Sequence, residues 1–184
     1  MAQKGRIGLT RPIRPSQKAG SAIDRAVTIR NRRSPPPRAR VSVRVGPGLL
    51  DFWLGRWDVY DRDGILAGHD VVELVLGGRA VLEHWRNREG REGKSLFWLE
   101  ADGSWRQVWV TEGGIVKEKA LVARNGGADV LFEGEAVLPD GRRLRDRTTL
   151  APLADNHVWQ LIEASEDGGE SWETTFDAIY APVD

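Results

Sequence analysis

The chain contains no cysteine, so disulfides, thiolate zinc sites and a cysteine nucleophile are excluded. It also lacks a long apolar run. Asp51, Glu73 and Arg79 break the longest stretches well before the ~20 residues that a membrane helix requires. The first 48 residues have no aromatic side chain, and acids are almost missing there. Twelve Lys/Arg face the single acid Asp24, a net charge of +11. The remainder holds fifteen bases and twenty-six acids, a net of −11, together with all eight Trp, four Phe and two Tyr. A segment with high charge and no aromatics cannot bury enough apolar surface to offset its ordering entropy. Residues 1–48 are therefore expected to be a disordered basic tail, and residues 49–184 one folded domain.

The tail also lacks the roughly 7–15-residue apolar core of a secretory signal. With neither that core nor a span, the expected location is cytoplasmic. A plain extension, or an upstream start codon wrongly assigned, explains the tail most simply. An organelle transit peptide and an arm for anionic membrane or nucleic acid are the alternatives. Nucleic acid is disfavoured, because no aromatic residues are interleaved to stack on bases.

After Pro35-Pro36-Pro37 and Gly46-Pro47-Gly48, turn signals recur at short intervals. They are Asp63-Gly64, Gly77-Gly78, Asp102-Gly103, Gly113-Gly114, Gly126-Gly127, Asp140-Gly141 and Gly168-Gly169. The runs between them alternate with a period of two. They predict ten strands at residues 53–60, 65–76, 80–87, 94–100, 104–111, 116–124, 129–138, 142–150, 157–165 and 172–180. No helical period of useful length competes. An all-β antiparallel meander of ten strands has two exposed edges unless the first pairs with the last, so an up-and-down barrel is expected. A two-sheet sandwich is the alternative. Residues 49–52 are expected to plug one end, with Trp57 packed across it.

Residues at i, i+2 and i+4 of a strand share a face. Trp105, Gln107 and Trp109 therefore share one, as do Glu83 with Trp85, and Ser95 with Phe97. If these faces point inward, the interior is an aromatic wall interrupted by a few polar groups, the usual composition of a small-molecule site. The opposing reading is a solid core in which Glu83 and Gln107 serve only buried partners. A carboxylate inside a barrel needs a cation or a shifted protonation state. Among Arg143, Arg145 and Arg147, which share a face, Arg147 is expected to pair inside with Glu83 or Glu163. That pair is either structural or an anchor for a ligand carboxylate. His69, His84 and His157 show no metal-ligand spacing, and His84 should face away from Glu83 and Trp85. No nucleophile elbow, phosphate loop or dinucleotide fingerprint is present.

The stretch Asp51-Phe52-Trp53-Leu54-Gly55-Arg56-Trp57 resembles the Gly-x-Trp start of calycin barrels, the group of lipocalins and fatty-acid-binding proteins. With Glu83-x-Trp85, Gly93-x-Ser95, Trp105-x-Gln107-x-Trp109-Val110 and Ser165-x-Asp167-Gly168-Gly169-x-x-Trp172, the chain resembles bacterial lipocalin-like domains of the DUF1579 type across residues 50–181. The resemblance implies a lipocalin-like barrel with an internal pocket and does not imply a reaction. Nitrobindin-like haem barrels share the Leu-Gly-x-Trp start, but here Asp58-Val59 follows Trp57 in place of their small, Gly-containing pattern. No cofactor and no metal are expected.

The leading expectation is a small-molecule binding protein holding a largely apolar or aromatic ligand. Its site residues would be Glu83, Trp85, Ser95, Phe97, Trp105, Gln107, Trp109 and Arg147. One alternative is a barrel enzyme of isomerase, cyclase or hydrolase type using Glu83 as acid/base with Gln107 or Ser95. The other is a filled-barrel structural or interaction domain, including a homodimer.

Overall fold

In the computed structural model, residues 48–122 and 129–183 are described. The expected tail before Gly48 and the Gly126-Gly127 turn lie outside them. The strands are β1 (Gly55–Asp61), β2 (Leu66–Val75), β3 (Ala80–Asn87), β4 (Glu92–Leu99) and β5 (Trp105–Thr111). Then come β6 (Val116–Val122), β7 (Val130–Val137), β8 (Arg143–Pro152), β9 (Val158–Ser165) and β10 (Glu173–Pro182). Each pairs antiparallel with its sequence neighbours, and β1 pairs with β10 from Trp57↔Pro182 to Asp61↔Ala178. The meander is thus a closed ten-stranded barrel without a free edge, as expected. No helix among the described residues is long and apolar enough to cross a membrane.

One turn design recurs at one end of the barrel. Gly64 (φ 76°) donates its amide to the Asp61 carbonyl, and Gly141 (φ 83°) does the same to Leu138. Both glycines hold the left-handed position that a side chain would strain. Asp61 Oδ1 also accepts from the amides of Asp63 and Ile65, so the acid before the first of these turns braces it. At the other end, β8 and β9 are joined through Asp155 and Asn156, both at positive φ. Polar side chains that bond locally tolerate that region.

The second end is closed by Leu49, Leu50 and the 3-10 turn Asp51–Trp53. The expected first strand began at Trp53, but Trp53 belongs to this turn and is wholly buried, and the strand starts at Gly55. The chain must double back across the barrel floor before it can join the sheet. The Trp53 ring meets Phe97 edge-on at 5.6 Å and Tyr180 at 5.9 Å, and Phe97 meets Phe132 at 5.2 Å. Trp57 packs on Tyr180 at 6.3 Å and donates its indole N–H to the Trp53 carbonyl at 3.0 Å. These edge-to-face ring pairs form an apolar floor, and each is worth about 0.5–1.5 kcal/mol beyond the area it buries.

Candidate functional site

Above the aromatic floor the interior changes character. The register aligns Val72↔Glu83, Glu83↔Ser95, Ser95↔Trp109 and Phe97↔Gln107, so these residues share the inner face. Glu83, Ser95, Phe97, Trp105 and Gln107 are buried, and Trp85 and Trp109 are half-buried. Both register shifts in the sheet fall elsewhere, at Val59/Tyr60 and Thr174/Phe176. The alternation across β3, β4 and β5 therefore runs unbroken, and seven of the eight expected residues meet inside.

Trp85 and Trp109 form the upper aromatic layer. Trp85 packs edge-on against Phe176 at 5.9 Å. Both indoles lie over glycine: a Cβ on Gly68 would stand 2.8 Å from the Trp85 ring, and one on Gly93 would collide with Trp109. A side chain at Gly93 would displace the Trp109 ring, and one at Gly68 would also strike the Arg86 carbonyl of β3.

Arg147 corrects the eighth assignment. It forms the expected pair with Glu163, with Nε to Oε2 at 2.7 Å, but on the outer face, where its guanidinium lies 4.0 Å above the Trp172 ring. The even positions of β8 carry Asp146, Thr148 and Leu150 into the interior, and alternation sends Arg143, Arg145 and Arg147 out. Arg143 pairs outside with Glu135, and Arg145 with Glu133. His84 faces outward as expected, its Nε2 3.4 Å from Glu73. His69 pairs with Asp58, and His157 with the Asp155 carbonyl.

Inside, a polar belt crosses the barrel between the two aromatic layers. On one side Lys119 Nζ lies 2.5 Å from Asp146 Oδ1 and donates to the Thr148 hydroxyl, while Lys117 Nζ lies 2.7 Å from Asp146 Oδ2. Burial pulls the Lys119 pKa down to about 8 against the opposing pull of Asp146. On the other side Gln107 Nε2 donates to Ser95 Oγ at 3.1 Å, and the Ser95 hydroxyl donates onward to Glu83. Burial raises the Glu83 pKa to about 7, with Ser95, Lys119 and Lys117 opposing. Tyr180 donates to Gln160 Oε1 at 2.8 Å, and burial, then the charges of Asp70 and Glu83, hold its phenol above the ordinary range.

Asp70 is the outlier of this belt. It is 1% exposed, opposite Trp57 on β1 and Trp85 on β3, yet neither carboxyl oxygen has a hydrogen-bond partner among the described residues. Burial, then the neighbouring Glu83, pushes its pKa well above the carboxylate range. The Val71 amide eases its charge slightly without meeting hydrogen-bond geometry. Gln107 Oε1 is likewise buried without a donor. In this orientation the amide gives its Nε2 to Ser95 and leaves Oε1 without a donor. Among the described residues, both Asp70 oxygens and Gln107 Oε1 are thus buried acceptors with neither a hydrogen-bond donor nor a cation in contact, where native proteins leave few such groups.

Sequence reasoning missed Asp70, Lys117, Lys119, Asp146, Thr148, Gln160 and Tyr180. The lysines were within reach of the same parity rule, since Lys117 lies opposite Trp109 and Lys119 opposite Gln107. Outside the wall, near the plugged end, an open apolar groove of about 490 Å³ runs over Leu76, Arg79, Ala80, Leu96, Trp98, Leu99 and Val108. No protein-family model and no curated protein matches the chain.

Proposed function

We propose that the barrel is a small-molecule binding protein of lipocalin-like kind. Its ligand places an apolar or aromatic body against Trp85, Trp109 and Phe176 and turns a hydrogen-bonding head towards the belt. One observation carries the reading: three buried acceptor atoms, on Asp70 and Gln107, face the interior beneath two half-buried indoles. An unmet buried acceptor costs about 1–3 kcal/mol, a cost that the donors of a ligand head would remove. The plugged floor leaves the end bearing Trp85 and Trp109 as the way in. The closed ten-stranded meander and the Trp57 floor also support the resemblance to the DUF1579-type domains.

Nile red, a neutral apolar dye, tests this. It should brighten on binding and quench Trp emission, and Trp109→Ala should weaken binding while the domain stays folded. An absence of dye binding combined with unfolding by Trp109→Ala would make the ring a core plug and the barrel a filled one. A second reading, acid–base catalysis by Glu83, is favoured by its pKa of about 7, the range in which a carboxyl both takes and returns a proton. Conversion of a bound molecule, lost in Glu83→Gln, separates it from simple binding.

A further inference from the structure

We propose that the ligand carries a basic amine, held as an ammonium ion between Asp70 and Glu83 beneath Trp85. This rests on the binding reading above and names the chemistry of its polar head.

The argument begins with what the belt already contains. Buried Lys119 and half-buried Lys117 are committed to Asp146, one to each of its oxygens. That trio carries one net positive charge and has no anchoring group left over for a ligand carboxylate. The opposite side has the reverse composition. Asp70 and Glu83 lie on adjacent strands, and each raises the energy of charging its neighbourhood. Their surroundings offer acceptors: two oxygens on Asp70 and Oε1 of Gln107 in the same belt. The missing complement is a cluster of donors bearing positive charge, and an ammonium group supplies three donors on one atom.

The aromatic neighbours fit the same ion. Asp70 stands between Trp57 and Trp85 in the sheet register, and directly opposed side chains sit about 4.5–5.5 Å apart at Cβ. Indole is the best ring face for a cation, and the attraction grows as water is excluded. A neutral alcohol would satisfy one acceptor and gain no charge term. A carboxylate ligand would meet two carboxyl groups and be repelled.

Proton release follows from the same geometry. The groups facing the pair are Tyr180 on β10, Ser95 on β4, and Lys117 and Lys119 on β6, whose charges Asp146 on β8 offsets. Lys94 acts weakly on Asp70 from the outer side of β4. β1 contributes Trp57 and no titratable group. With both carboxyls raised, the pair holds a proton near neutrality. An incoming ammonium displaces it, so amine affinity should rise between about pH 6 and about pH 8 as the proton becomes easier to remove.

The experiment is isothermal titration calorimetry on the full chain with tryptamine and octylamine, against the isosteric alcohols tryptophol and octanol. Amines should bind roughly tenfold tighter or better than their alcohols, the factor that about 1.4 kcal/mol represents. Binding should release protons, seen as a heat that depends on buffer ionisation. Asp70→Asn should remove the preference for the amine, with alcohol affinity kept, and Glu83→Gln should reduce it. Equal or tighter binding of the alcohols, or amine binding without proton release, overturns the proposal. If Nile red binds and neither amine does, the amine assignment falls and the binding reading stands. If Nile red does not bind either, the binding reading itself has failed.

Discussion

Replacing Glu83 by Gln should make the domain less sensitive to pH, and the sign can be worked out in advance. Glu83 is buried, and its pKa is about 7 in the folded chain against an ordinary 4.5. Between those values the folded state keeps a proton that the unfolded chain gives up. Stability therefore falls as pH rises from 4.5 towards 7, and stays low above that. At about 1.4 kcal/mol per pH unit, the gap amounts to roughly 3 kcal/mol as a ceiling. Asp70 is raised in the same direction and adds to the slope. Gln at position 83 resembles the protonated acid, and its Oε1 can still accept from Ser95.

The variant should therefore match the parent near pH 4.5 and exceed it near pH 8. The difference corresponds to a melting temperature on the order of 10 °C higher. Asp70 also loses a charged neighbour, so the residual slope should shrink further. The assay is a series of urea or thermal unfolding curves at several pH values from about 4.5 to about 8. Parallel curves for parent and variant would refute the reasoning, because they would mean that Glu83 titrates like a solvated carboxyl and that the belt is wet.

Two further substitutions test the rest of the interior. Asp146→Ala leaves the buried Lys119 ammonium and the half-buried Lys117 without their counter-ion and should cost about 3–5 kcal/mol in urea unfolding. Asp146→Ala combined with Lys119→Met should recover part of that loss, and no recovery would mean that Lys119 is not the group at stake. Trp53→Ala removes the wholly buried floor plug and should cost about 3–5 kcal/mol. Trp53→Phe should cost clearly less, since the Trp53 Nε1 makes no hydrogen bond that Phe would forfeit; equal losses would place the energy in the indole N–H.

The barrel was legible because its signals are local and repetitive. Asp-Gly and Gly-Gly steps mark turns wherever a positive φ is needed, and β3 was read at its full observed extent, residues 80–87. The alternation that put Trp105, Gln107 and Trp109 together held because no bulge falls on β3, β4 or β5. The first strand was read two residues early because Trp53 fits a strand pattern, and only the need to close the barrel floor bends it into a turn.

The charged half of the belt was illegible for a different reason. Lysine and aspartate are normally surface residues, so nothing in the sequence marks Lys117, Lys119 and Asp70 as inward-facing. On β8, arginines alternate with Asp146 and Thr148, and charge alone cannot choose which set turns in. Leu150, wholly buried and in phase with Asp146, decides it. Arg147 therefore takes Glu163, one of its two expected partners, on the opposite side of the wall from the one expected.

The two sides of the belt differ in what they leave unmet, and that difference separates structure from function. Around Lys119 the charges are paired: Asp146 spans both lysines, and Thr148 takes a further donor. A closed set of this kind needs no ligand, and replacing it with apolar side chains of similar volume is often neutral or stabilising. Around Asp70 the set is open. Two oxygens of a buried acid and one of a buried amide find no donor, and the acid is raised in pKa by burial and by a second acid beside it. A local rule broken without any compensation inside the fold is what a binding site leaves in the unliganded chain. The Lys119 side should consequently respond to substitution through stability, and the Asp70 side through affinity. The same division predicts that Asp70→Asn melts no lower than the parent near pH 8, where the parent bears the cost of ionising the pair.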